Sequence, residues 1–404
     1  MCLPNATPAA YAYLMVTSIG EQLANIRRRR GLSQRELATL SEVSLSLVQK
    51  LEQGVVSDTS LETAHKLARA LRVPTSKLVL THDEDDADET TVADWEEVRR
   101  ALRTPTPYDG DGEPEGGAVM GLLGEAVGLQ GRDQYSRLRP LLPKLLRGAD
   151  ALAEHASEGR ALRFQALHIT AWLLIQTRQF AEAELALDRA EDDATERLQL
   201  AALANSRCWL LLRRGRLPET RELAAQWVDE LAPVLGKASP DELATWGSFQ
   251  LRTAAACVRD NRPGEADDAM RLAQSAAVAL GRETSVKADS VRTFGPVTVE
   301  LKRAEMRAVQ HRPDDVLDIA SRITLTPAVT SSNKNRHMLD VASAFAAKKE
   351  DTAAVDVLRN VRSSSPEWLP NQRYARDIMG GIVRRRRTLT PEMREMADLV
   401  GVPM

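Results

Sequence analysis

Residues 31–54 read Gly31-Leu32-Ser33-Gln34-Arg35-Glu36-Leu37-Ala38-Thr39-Leu40-Ser41-Glu42-Val43-Ser44-Leu45-Ser46-Leu47-Val48-Gln49-Lys50-Leu51-Glu52-Gln53-Gly54. Ser33 and Glu36 have the spacing of a capping box, in which each side chain satisfies a backbone donor of the other residue at a helix start. Leu37 and Ala38 then face inward, and after a short turn Val43 enters a core. Ser44 is a second N-cap, opening a helix from Leu45 to Gln53 whose Val48 and Leu51 are the buried pair. Glu42 falls in the turn; a left-handed conformation there costs about 1 kcal/mol relative to glycine, so a widened turn is expected. Upstream, Ile19, Leu23 and Ile26 lie on one face of a helix that stops at Gly31 after Arg27 to Arg30. Downstream, Leu61, Ala64, Leu67, Ala68 and Leu71 follow the cap Ser60, and Pro74 opens a last turn carrying Leu78. Five short helices are expected over residues 18–80.

The ordered string runs Leu23-x-x-Ile26-Arg27, Gly31-Leu32-Ser33-Gln34-x-x-Leu37-Ala38, Val43-Ser44, Val48-x-x-Leu51-Glu52-x-Gly54, then Leu61, Ala64, Leu67, Ala68 and Leu71 at helical spacing. It resembles the phage-repressor, or xenobiotic-response-element, helix-turn-helix family over about 60 residues. Two positions depart from that pattern: Glu42 stands where the family has glycine, and the loop Val55–Thr59 lacks the common proline. The resemblance implies that helix 3 enters the major groove of an operator while the start of helix 2 abuts a phosphate. Ser44, Leu45, Ser46, Gln49, Lys50 and Gln53 are then the groove-facing set. Gln49 suits an adenine edge, Lys50 a guanine or phosphate, and Leu45 a thymine methyl. Gln34 would donate its amide to a phosphate, with Arg35 beside it. One such head covers few base pairs, so a homodimer on two half-sites about 34 Å apart is expected.

Charge agrees with a local DNA-binding surface. The whole chain of 404 residues carries a net charge of −3, which excludes a protein that coats nucleic acid or membrane along its length. Residues 18–80, by contrast, hold ten Lys and Arg against six Asp and Glu, leaving +4. Part of the Arg27–Arg30 cluster complements the end of the helix 1 dipole.

An acidic run from Asp83 to Glu89 and a Pro/Gly-rich stretch from Thr104 to Gly117 make residues 81–117 a linker, interrupted by a short helix over Val92–Leu102. Residues 118–404 carry helical patterning without a convincing strand. Many alanines and only 4% aromatic residues favour helices packed through small side chains, so the class is all-α. Small or β-branched residues twelve apart recur at Ala171/Ala183, Cys208/Thr220, Ala254/Ala266, Ala304/Val316 and Ala342/Ala354. A polar turn separates each pair. The pattern resembles the tetratricopeptide repeat, best at Met338 to Pro366, where Ala342, Phe345, Ala354, Leu358 and Pro366 sit at the signature spacings; an ordinary helical bundle is the competing architecture. A terminal helix opened by Thr390 and Pro391 and closed by Gly401 would cap the array.

The odd set Cys2, Cys208 and Cys257 suits a reducing compartment. Ala9 to Val16 is too short, and lacks the basic residues, for a signal peptide, and no apolar run reaches the roughly 18 residues of a membrane span. A cytoplasmic, nucleoid-associated protein is the expectation, with residues 1–14 either an arm or a segment upstream of the start at Met15. The six histidines lack metal-ligand spacing, no phosphate loop or nucleophile elbow is present, and neither a cofactor nor an enzymatic activity is expected. Gly121, Gly124 and Gly128 read as close helix contacts, the tryptophans as core, and Arg384–Arg387 as a charged helix surface in preference to a second phosphate patch. Two roles then compete for the repeats. Their concave groove either binds a peptide or small-molecule effector, with Asn205, Arg207 and Gln250 as contacts, or recruits another protein as a DNA-addressed adaptor.

Overall fold

The computed structural model describes residues 19–56, 59–78, 95–104, 116–154, 157–234 and 236–404. The N-terminal apolar stretch, the acidic run and the Pro/Gly-rich segment 105–115 lie outside them. The chain divides into two compact units, Met1–His82 and Asp83–Met404. Among the described residues the protein is all-α apart from one hairpin.

The first unit holds α1 (Ile19–Arg29), α2 (Gln34–Ser41), α3 (Leu45–Glu52) and α4 (Leu61–Leu71), followed by a 3-10 turn at Thr75–Lys77 in place of a fifth α-helix. The capping box forms as expected: the Ser33 side chain accepts from the Glu36 N–H at 3.1 Å, and Glu36 accepts from the Ser33 N–H at 2.7 Å. Glu42 adopts the left-handed conformation with φ 56°, and its N–H reaches back to Ala38 and Thr39, so the turn is not widened. The expected widening is thus corrected: two backbone hydrogen bonds offset the strain of a non-glycine residue. Ile19, Leu23, Leu37, Val43, Val48, Leu51, Leu67, Leu71 and Leu78 form one core. Each fully buried leucine in it contributes about 1.5–3 kcal/mol. Gly20 lets α1 cross α3 closely, since a side chain there would strike the carbonyl of Leu51.

The second unit begins with α5 (Glu96–Arg103). Its Trp95, Val98, Ala101 and Leu102 are buried in the main core, and Arg99 donates to Glu182 and Gln179 at 2.8 Å each. The helix expected within the linker is therefore part of this unit. Six antiparallel helix pairs follow: α6 (Gly116–Gly131) with α7 (Tyr135–Ala153), α8 (Ser157–Gln176) with α9 (Phe180–Glu191), and α10 (Arg197–Arg213) with α11 (Leu217–Glu230). The remaining pairs are α12 (Pro240–Arg259) with α13 (Pro263–Leu280), α14 (Pro296–Val309) with α15 (Pro313–Arg322), and α16 (Ser331–Ala347) with α17 (Asp351–Ser364). Helices α18 (Arg373–Arg385) and α19 (Pro391–Leu399) close the chain, with Thr390 capping α19 and Gly401 beyond it at φ 72°.

One turn geometry recurs in all six pairs. Asp133, Arg178, Gly215, Asn261, His311 and Lys349 each have positive φ, between 53° and 73°, and the next helix starts two residues later. The residue after each donates its N–H five positions back, as in Gln179 to Leu174 at 2.8 Å and Glu350 to Phe345 at 2.9 Å. This is the Schellman closure, which satisfies carbonyls that a helix end would leave orphaned. All ten residues of the five twelve-residue pairs have no accessible surface, so the small side chains sit where paired helices touch.

Two features depart from the sequence reading. Between α13 and α14 the chain forms a hairpin of β1 (Thr284–Val286) and β2 (Asp289–Phe294), where no strand was expected. The strands are too short for an alternating pattern to stand out, and they are held by Phe294, buried against Gly247 of α12. Among the described residues Gly121 and Gly124 have open space where a side chain would be and Gly128 meets only the Arg132 side chain, so none of the three marks a close helix contact there. The array also curls on itself. Asp133 accepts from Asn335 at 3.2 Å and Ser365 at 2.9 Å, and Ser136 donates to Glu367, which ties the first helix pair to the last.

Candidate functional site

Helix α3 presents two chemically distinct flanks. Val48 and Leu51 have no accessible surface, while Ser44, Ser46, Gln49, Lys50 and Gln53 are exposed, together with Arg35 on α2. The Ser44 hydroxyl caps the helix by accepting from the Leu47 N–H at 3.2 Å, which leaves its own proton to donate. Leu45 is only half-exposed and packs against the core, so it is committed in part to holding the helix in place.

Gln34 also has a partner within the domain. Its amide donates to Glu52 at 2.8 Å, and the same carboxylate takes a bidentate pair of bonds from Arg27 at 2.6 and 2.7 Å. One amide proton of Gln34 is thus spent on positioning, and the other remains for an outside acceptor. Burial pushes the Glu52 carboxyl up, but the Arg27 and Gln34 hydrogen bonds and the charges of Arg27 and Arg28 outweigh it and hold the group below the usual range. The Arg27 guanidinium is held above its ordinary value, chiefly by that hydrogen bond. The triad locks the ends of α1, α2 and α3 into one relative geometry. Arg27 and Glu52 stand 25 residues apart, and only the crossing of α1 over α3 brings them together. Arg30 donates to the carbonyl of Arg72 at 3.1 Å and so caps α4. Two of the four clustered arginines are therefore structural, and Arg28 and Arg29 remain exposed with Arg35 and Lys50.

The three residues read as effector contacts do not converge. Asn205 is buried and lines a small recess against the hairpin. Arg207, two positions on, turns to α9 and pairs with Asp188 at 2.7 Å and Glu191 at 2.5 Å. Positions two apart on a helix do not share a face. Gln250 is buried outside the lining of that recess, with Nε2 unpaired. The sequence reading missed Arg252, Asp289 and Arg292, which do adjoin Asn205 directly or through the hairpin. At the chain end, Arg385 and Arg386 both pair with Asp351 on α17, as a structural helix surface.

Comparison with known families matches the helix-turn-helix family to residues 23–78. No curated protein and no solved structure matches the chain. Residues 23–78 are thus a helix-turn-helix domain, of the kind that binds DNA in transcriptional regulators, and the match speaks for those residues alone. Among the described residues no helix is long and apolar enough to cross a membrane, and no cluster of His, Cys, Asp and Glu could hold a metal.

Proposed function

We propose that the protein is a sequence-specific transcriptional regulator of the cytoplasm and nucleoid, acting as a homodimer on a two-half-site operator. The carrying observation is α3 itself, whose Ser46, Gln49, Lys50 and Gln53 are exposed in one polar flank while Val48 and Leu51 anchor the other. A helix so held can enter a major groove about 12 Å wide without giving up its own core. Gln49 reads an adenine edge, Lys50 a guanine or a phosphate, and Arg35 with the second proton of Gln34 contacts the backbone. The mass of the protein on operator-length DNA tests the assembly, with two chains per site expected and one chain sufficient to remove the dimer.

The second unit is read as the sensor. Its repeated helix pairs resemble tetratricopeptide repeats, and hydrogen bonds tie the first pair to the last. A small effector or peptide bound by these repeats is the reading preferred here, with recruitment of another protein as the alternative. Mapping bound sites across the genome with and without candidate effectors tests this reading; unchanged occupancy under every effector, with co-purification of a partner protein, would return it to the adaptor.

A further inference from the structure

We propose that α6 is a self-association surface, on which two copies of the chain pack their α6 helices antiparallel about a two-fold axis at Gly124. The proposal rests on the homodimer reading and names the surface that pairs.

The first reason is that α6 has no polar face. Within Gly116–Gly131 the only charged residue is Glu125, and the only other polar one, Gln130, is buried. Val119, Leu123, Ala126 and Leu129 turn inward to the main core. The opposite flank carries Met120, Gly121, Gly124, Val127 and Gly128 in place of the charges that a solvated helix surface holds. Among the described residues Met120 is 59% and Val127 37% exposed. The first helix of a repeat array ordinarily shows water a polar outer side, so an apolar one is a surface for a partner to cover.

The second reason is the register of that flank, which selects a second copy as the occupant. Glycine is the poorest helix former after proline, yet a side chain at Gly117, Gly121, Gly124 or Gly131 would meet nothing among the described residues. These glycines, with Gly128, follow one another by four, three, four and three residues, the seam spacing of two paired helices. Turned antiparallel about Gly124, Met120 of one copy falls opposite Gly128 of the other, and Val127 opposite Gly121. Every large side chain of the flank then meets a glycine, and one helix supplies both halves of the match. A patch complementary to itself is what a two-fold interface requires. With no side chain between them at Gly124, the helix axes can come nearer than the usual 8–10 Å. A contact 16 residues long spans about 24 Å, so the pair is small and its formation depends on concentration.

Sedimentation of the full chain over a concentration series tests the surface. Gly124→Glu and Gly124→Lys each set like charges against one another on the axis and should weaken pairing about tenfold or more. Both should melt no lower than wild type, since a side chain there meets no described atom. A mixture of the two should pair again, because opposite charges then meet. In a Cys2→Ser background, Gly124→Cys should give a disulfide-linked dimer under mild oxidation. Met120→Cys should not, since antiparallel copies of that position stand about 12 Å apart along the helices, beyond the reach of a disulfide. If either charged variant pairs like wild type, or the mixture fails to recover, the surface is overturned and the homodimer rests on the mass measurement on DNA. Equal cross-linking through Met120→Cys overturns the antiparallel register. A wild type that stays monomeric at every concentration overturns the proposal as well; slow alkylation of Gly124→Cys would then put residues 105–115 on the flank, and rapid alkylation would show it bare.

Discussion

The Arg27 guanidinium in α1 and the Glu52 carboxylate at the end of α3 meet through two hydrogen bonds of 2.6 and 2.7 Å, and Gln34 of α2 closes on the same carboxylate. The reading helix is therefore oriented by a nearly buried ion pair, whose side chains are 10% and 5% exposed. Glu52→Ala leaves the Arg27 charge unpaired and should destabilise the head by about 3–5 kcal/mol. Hydrogen exchange of the α3 amides measures the loss.

The same pair sets an acid limit. The Glu52 carboxyl is held below its ordinary value in the folded head, so its stabilisation is present above the unfolded value, about 4.3, and is lost as pH falls through the lower folded value. Exchange of α3 should accelerate below about pH 4 in the wild type. Glu52→Gln should start faster and respond less to pH.

Gln49→Ala should cost about 1–3 kcal/mol at one base pair of the operator and leave discrimination at the other positions unchanged. Arg35→Ala should weaken binding to all sequences alike and reduce the slope of log affinity against log salt by about 1. Binding titrations on single-base operator variants, at two or more salt concentrations, separate the two behaviours.

Much of this was legible in the sequence because the signals are local. The box Ser33/Glu36, the cap Ser44 and the buried pair Val48/Leu51 all act within one or two helical turns. The twelve-residue pairs were legible for the same reason, since a helix end, a Schellman turn and a helix start fit within that span. What failed was long-range or face-dependent. Nothing local marks Arg27 as the partner of Glu52, or Arg252 as the partner of Asn205. Arg207 looked like a neighbour of Asn205, but a two-residue step carries it to the other side of α10. The hairpin was missed because Thr284–Val286 is too short to show strand alternation, and its place is fixed by a contact between Phe294 and Gly247.

That contact offers a further test. A side chain at Gly247 would overlap the Phe294 ring, so Gly247→Ala should destabilise the second unit by about 1–3 kcal/mol through overpacking. Adding Phe294→Leu should recover part of the loss. Trp246, the adjacent residue, reports the change by fluorescence.

Two histidines oppose the folding of the second unit in acid. Burial lowers both His168 and His337 to about 4; for His168 the nearby Asp289 opposes the shift and Arg292 assists it, while for His337 Lys302 adds to it. Both are neutral when folded at pH 7. The stability they confer is present above the unfolded value, about 6.5, and is lost as pH falls toward 4, at about 3 kcal/mol for each. Urea melts followed by tryptophan fluorescence read this unit selectively, because all six tryptophans lie in it. His168→Gln, which can keep the hydrogen bond to Ser206, should lessen the loss of stability as pH falls from 6.5 to 4.

The central claim is that α3 reads sequence. Repeated selection of purified full-length protein on a pool of random duplexes, at about physiological ionic strength where non-specific phosphate attraction is weak, tests it directly. The expected result is a single enriched motif repeated in two half-sites about one helical turn apart, lost when Gln49 and Lys50 are replaced together. A pool that emerges with no sequence preference would contradict it.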